Sequence, residues 1–183
     1  MKKILIPLAQ GCEELEAVTI MDLLTRAGFQ VVSASLDDQP VKCARNTVII
    51  PDTSLDTILN DEFDLIVLPG GLPGADNLRD DERIIKLIQA QSKQNKPVAA
   101  ICAAPKVLAK AGLLENKKAT SFPGVLDELN LINTQISKAA IEIDNGIITS
   151  RGPGTAMDFA LELIKLLDGD ENKQKIKKQM VRD

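Results

Sequence analysis

The 183-residue sequence predicts one α/β domain, spanning residues 1–183 and built on a mostly parallel sheet. Short apolar runs alternate with longer amphipathic segments from end to end. Two of the runs, Leu65–Leu68 and Val98–Ile101, are continuously apolar, as strands covered on both faces are, rather than alternating as half-exposed ones do. The length is that of one ordinary domain, able to bury roughly 70% of its unfolded surface with no disulfide or metal to hold it.

The elements follow in chain order. Residues 3–8 and 30–36 read as strands, with a helix over 13–27 between them and Gly28 placed to end it. Residues 41–43 and 47–50 are short strands of a side hairpin. Between the two continuous apolar runs the spacing of Ile84, Leu87, Ile88 and Gln91 predicts a helix over 80–94. Residues 140–143 and 147–149 pair across Asp144-Asn145-Gly146, a strong tight-turn signal. A helix over 155–167, with Thr155 as candidate cap, is broken by Gly169. A last helix over 170–180 carries acids first and bases last, the order that suits its dipole and a solvated face.

Composition removes several function classes. At 44% hydrophobic and 26% charged the chain is globular rather than disordered, and a net charge of −4 disfavours nucleic acid. There is no histidine, which excludes Ser-His-Asp and Cys-His catalysis and His-ligated metal; no metal site and no cofactor are expected. Three cysteines form no even disulfide set and no CxxC spacing, so free thiols in a reducing compartment are expected. Pro7, Gln10 and the acids from Glu13 cut the amino-terminal apolar run too short for a signal peptide. No stretch approaches the ~18 apolar residues that would cross a bilayer. A soluble cytoplasmic protein is the expectation.

In parallel sheets, sites form at the carboxyl ends of strands, and three such loops stand out. In Val98-Ala99-Ala100-Ile101-Cys102-Ala103-Ala104-Pro105 a strand runs straight into a helix, with cysteine at the junction among small neighbours. That is the logic of a nucleophile elbow, and the positive end of the following helix would favour a thiolate. The alternative is a small buried side chain. In Pro69-Gly70-Gly71-Leu72-Pro73-Gly74 adjacent glycines leave backbone amides free to face an anion or oxyanion, although the spacing is not that of a phosphate-binding P-loop. In Gly11-Cys12-Glu13-Glu14-Leu15-Glu16 helical spacing places Glu16 on the same stripe as Ile20, Leu23, Leu24 and Ala27. Burial there would raise the carboxyl's pKa and keep its proton, whereas Glu13 and Glu14 suit a first helical turn. Cys12 and Cys43 lack this context and read as incidental. Arg151-Gly152-Pro153-Gly154-Thr155 reads as a rigid helix entry that could line a pocket.

Together these stretches resemble the ThiJ/PfpI superfamily, in the branch of the Parkinson-disease protein deglycase and bacterial YajL. The motifs Gly11–Glu16, Leu68–Gly71, Ala100–Ala103 and Thr149–Thr155 lie in the family's order, and the likeness runs over nearly the whole chain. The resemblance implies a flavodoxin-like three-layer sandwich, a homodimer, a reactive Cys102 and a protonated Glu16 beside it. Gly70, Gly71 and Ala103 fall where the family's amides stabilise an oxyanion or oxidised sulfur. Arg45 matches an arginine near the dimer interface, with Asp22 as its possible partner; Phe122 and Pro153 would line the pocket or dimer edge. Many members of the branch carry a histidine where this chain has Phe122, which cannot shuttle a proton.

The activity so implied is a cysteine-dependent attack on α-oxoaldehydes, or on early glycation adducts of protein side chains, independent of glutathione. The alternative is a redox-sensing protective protein or holdase chaperone whose Cys102 is oxidised to sulfinate. Peptidase and glutamine-amidotransferase readings need the missing histidine, and nothing in these residues supports thiazole biosynthesis.

Overall fold

The structure is a computed structural model and describes residues 1–182. Its centre is a seven-stranded sheet in the order β10-β11-β7-β6-β1-β2-β5. The strands are β1 (Lys3–Leu8), β2 (Gln30–Ser35), β5 (Thr53–Ser54), β6 (Leu65–Leu68), β7 (Val98–Ile101), β10 (Ile141–Asp144) and β11 (Ile147–Ser150). All neighbours run parallel except the edge pair β10 and β11, which is antiparallel around the expected Asp144-Asn145-Gly146 turn. The side hairpin is present as antiparallel β3 (Val41–Lys42) and β4 (Val48–Ile49).

Side-chain alternation divides the core into two layers, one on each face of the sheet. Ile4, Ile6 and Leu8 of β1 face α1 (Glu14–Arg26) and α6 (Ala156–Gln179), packing with Ile20, Leu23, Leu24, Phe159 and Leu163. Leu5 of β1 faces the other way, with Ile66, Leu68, Val98 and Ala100, toward α2 (Leu55–Ile58), α4 (Glu82–Lys93) and α5 (Pro105–Lys110). Both layers are apolar, so β6 and β7 are apolar at every position. The result is a mixed α/β sandwich with a mostly parallel sheet, as expected.

Three features differ from or add to expectation. The helix placed over 80–94 is α4, capped at Asp81, whose carboxylate accepts from the Arg83 amide at 2.9 Å, and a helix that was not expected, α3 (Gly74–Asp80), precedes it. Gly74, Asp76 and Asn77 read as turn residues, and that composition hid α3. Thr155 stands at the N-cap position of α6, but its side chain makes no capping bond there; its hydroxyl accepts from the Gly152 amide (3.1 Å) and bonds Ser150 Oγ (2.7 Å), fastening the turn Pro153–Thr155 to the end of β11. The segment between α5 and β10, read without elements, contributes β8 (Lys118–Ala119) paired in parallel with β9 (Gln135–Ile136). Gly169 breaks α6 as expected, with φ 85°.

Chain order locates the crevice. From β1 the chain builds outward through β2 to β5, then returns to β6 on the other side of β1. Loops leaving β1 and β6 therefore diverge above the sheet, opening a gap at their carboxyl ends. Next in line is β7, which delivers Cys102 to the same edge.

Candidate active site

Cys102 follows β7 directly and has φ 63°, a left-handed conformation that costs a non-glycine residue roughly 1–2 kcal/mol. Its backbone is held on both sides: its amide donates to Ser150 O at 2.9 Å, and its carbonyl accepts from the Phe122 amide at 2.8 Å. This is the strained junction expected of a nucleophile elbow. The side chain is close to covered, with 8% of the residue exposed.

Glu16 lies in the first turns of α1 and is fully buried. Its Oε2 accepts from the Gly70 amide at 2.8 Å, while Oε1 is buried with no hydrogen-bond partner. Gly70 is the meeting point. A Cβ there would lie 2.7 Å from Cys102 Cβ, 2.8 Å from Glu16 Oε2 and 2.8 Å from Ile101 O. Only glycine lets the thiol and the carboxyl close over the same backbone position. The amide of Gly70 is thus committed to Glu16, and of the three amides expected to face an oxyanion, those of Gly71 and Ala103 act on the sulfur.

Electrostatics correct one expectation. Burial, reinforced by the negative charge of Glu16, pushes the Cys102 thiol up to about 12, and the Gly71 and Ala103 amides offset only part of this. The following helix, α5, has six residues and starts at Pro105, so it offers little dipole to the sulfur. Burial also raises Glu16 from 4.5 to about 7, against the Gly70 amide and the Cys102 side chain, which favour the charged form. Both shifts express the cost of charge in a dry site. Near neutral pH the pair carries at most one negative charge, so a charge on the Cys102 sulfur goes with its proton being held by Glu16.

The remaining candidates are placed as follows. Phe122 is 48% exposed and sits at the mouth, where its ring would touch a Cβ added at Gly152, 3.4 Å away. Pro153 begins the short turn on the same side. Arg45 is exposed on the β3–β4 hairpin, and its amide is bound by the Glu14 carboxylate at 3.0 Å. Asp22 does not pair with it within the chain; Asp22 bonds Arg26 one helical turn on, at 2.6 Å. Sequence reading overlooked Cys12 and Cys43 as a pair: their sulfurs lie 3.5 Å apart. They are 31 positions apart in the chain, and no spacing rule joins them.

A Cys–Glu pair at a strand-to-helix elbow on a parallel sheet defines the class, and comparison with known proteins defines the family. The chain belongs to the DJ-1/PfpI family, whose model matches residues 2–166. It is similar to the protein dj-1beta of Drosophila melanogaster, with 40% identity over 181 residues, 98% of this chain and 97% of the relative. It is also similar to a glutathione-independent glyoxalase, DJR-1.2, of Caenorhabditis elegans, at 36% identity covering 97% of this chain and 94% of that one. Among solved structures, oxidized DJ-1 of Toxoplasma gondii superposes with a TM-score of 0.94 at 37% identity, covering 100% of this chain and 99% of that one.

Proposed function

We propose that the protein is a glutathione-independent glyoxalase, acting through Cys102 on α-oxoaldehydes and, by the same chemistry, on early glycation adducts of protein side chains. The observation that carries this reading is the buried Glu16 carboxyl, with one oxygen unpartnered, sharing the Gly70 corner with Cys102. The C. elegans glyoxalase among its relatives supports the substrate class.

With methylglyoxal, the Cys102 sulfur forms a bond to the aldehyde carbon as its proton passes to Glu16. The carbonyl π pair moves to oxygen, next to the Gly71 and Ala103 amides, and the proton of Glu16 completes the hemithioacetal. Glu16 then removes the proton from that carbon and returns it to the neighbouring one, while the hydroxyl proton on the first carbon passes to the ketone oxygen. The first carbon is oxidised to a thioester carbonyl and the ketone carbon is reduced to an alcohol, so no external oxidant is needed. Water cleaves the C–S bond, releasing lactate and restoring the thiol. A carboxyl raised to about 7 suits this work, because it can both take and give a proton near neutral pH. Phe122 takes no part in proton transfer.

Two further features belong to the reading. Leu15 and Val18 of α1 and Val48 and Ile50 of the hairpin are exposed, and Glu14 ties the two elements together through the Arg45 and Thr47 amides. A second copy of the chain covers this face in a homodimer. The three free thiols suit a reducing cytoplasm. A sensor reading, with Cys102 held as sulfinate and little turnover, is also supported by the orphan Glu16 oxygen, which could donate to a sulfinate oxygen. Lactate production from methylglyoxal by wild type and Cys102→Ser separates the two. A fall of roughly 10³-fold or more is expected. An unchanged rate in the variant would overturn the glyoxalase.

A further inference from the structure

Cys12 and Cys43 are the two nucleophilic side chains that the proposed reaction leaves unused. Cys12 sits in the loop after β1 and Cys43 just after β3, and the backbone holds them side by side. The Gly11 amide donates to Lys42 O at 2.8 Å, and the Ala44 amide donates to Cys12 O at 2.8 Å, so the two segments run as a short ladder on either side of the pair. The sulfurs are in van der Waals contact at 3.5 Å, and a disulfide requires ~2.05 Å, so an approach of about 1.5 Å forms the bond.

We infer that Cys12 and Cys43 are a reversible dithiol–disulfide pair, a redox site separate from Cys102. With hydrogen peroxide as oxidant, the sulfur of Cys43 attacks one peroxide oxygen. The O–O bond breaks, water leaves, and Cys43 becomes a sulfenic acid. The Cys12 sulfur then bonds to the Cys43 sulfur; the S–O bond breaks, and the leaving hydroxide takes the Cys12 proton as a second water. Two electrons pass from the sulfurs to the peroxide, and a dithiol reductant reverses the change. Cys43 is the entry point because it keeps 4% exposure next to the exposed turn 45–47, whereas Cys12 is fully covered. Burial holds both thiols protonated, with the charge of Glu14 acting in the same sense, so the reaction accelerates as pH rises.

The closed pair would fasten the hairpin to the loop that backs the reaction centre. In that loop the Glu13 amide donates to Gly70 O at 2.9 Å, and the Gly74 amide donates to Gly11 O at 3.2 Å. Oxidised protein should therefore unfold at a temperature higher by roughly 5–10 °C.

Treating the full chain with a small excess of peroxide, alkylating free thiols and digesting with trypsin without reductant tests the pair. The expected product joins the peptide of residues 4–26 to Cys43-Ala44-Arg45 and is lost on dithiothreitol treatment. Cys102→Ser protein should give it in equal yield, so this outcome is read independently of any glyoxalase activity. Recovery of both Cys12 and Cys43 alkylated while Cys102 is oxidised would overturn the inference. A bridge to Cys102, or one joining two chains on a non-reducing gel, would do the same.

Discussion

Cys102 stands in a backbone conformation that disfavours a side chain and in a buried setting that disfavours charge on its sulfur. Neighbours bear on both costs: two backbone bonds hold the φ of 63°, and a carboxyl raised to about 7 can take a proton from the sulfur near neutral pH. The carboxyl has a measurable signature. Its folded pKa is raised from 4.5 to about 7, so the folded state holds the proton more tightly than the unfolded chain. Its stabilising contribution is complete below about pH 4.5 and disappears as pH rises through 7. Between those limits the wild type should lose up to about 3 kcal/mol relative to Glu16→Gln, which carries no titrating group there. Urea unfolding of both proteins at pH 4.5 and 8 reads the difference; parallel profiles would show that the carboxyl is not raised. The same variant should slow methylglyoxal conversion by roughly 10²–10⁴-fold through loss of proton transfer.

At the scale of elements, the site depends on two loops meeting above the gap between β1 and β6. Gly71 lies so close to the β1–α1 loop that a Cβ would fall 2.3 Å from the Glu13 nitrogen and 2.6 Å from the Cys12 carbonyl carbon. Its φ of 87° is also a left-handed one. Backbone on the opposing side cannot yield as a flexible side chain would. Gly71→Ala should therefore destabilise the protein by about 2–4 kcal/mol, combining conformational strain with overpacking. Chemical denaturation measures this directly, and a change under 1 kcal/mol would mean that the loops do not interlock in solution.

At the scale of the molecule, exposed Leu15, Val18, Val48 and Ile50 lie on α1 and the hairpin, two elements that Glu14 joins through the Arg45 and Thr47 amides. Pairing through these residues predicts a sedimenting species of twice the 19.8 kDa chain mass. Changing Leu15 and Ile50 together to Asp should return it to the monomer by placing charges in the buried interface. A wild type that sediments as a monomer at micromolar concentration would remove the dimer from the reading. Among the described residues no helix is long and apolar enough to cross a membrane, so this face is not part of a spanning helix.

The strands at the centre of the sheet, the hairpins and the break at Gly169 were legible in the sequence because each follows from local pattern: an uninterrupted apolar run, a tight-turn tripeptide, a glycine at a helix end. Cys102 and Glu16 were legible for the same kind of reason, one at a strand–helix junction and the other out of place on an apolar helical stripe. Helix α3 was not, since its Gly, Asp and Asn carry turn propensity that packing on the sheet overrides. Nor could local pattern show that the Gly70 amide serves Glu16 or that Cys12 touches Cys43. Nor could it show that burial drives the Cys102 thiol upward when a helix end was expected to lower it. Those are properties of distance and desolvation between segments far apart in the chain, and they exist only once the strand order has brought β1, β6 and β7 to a common edge.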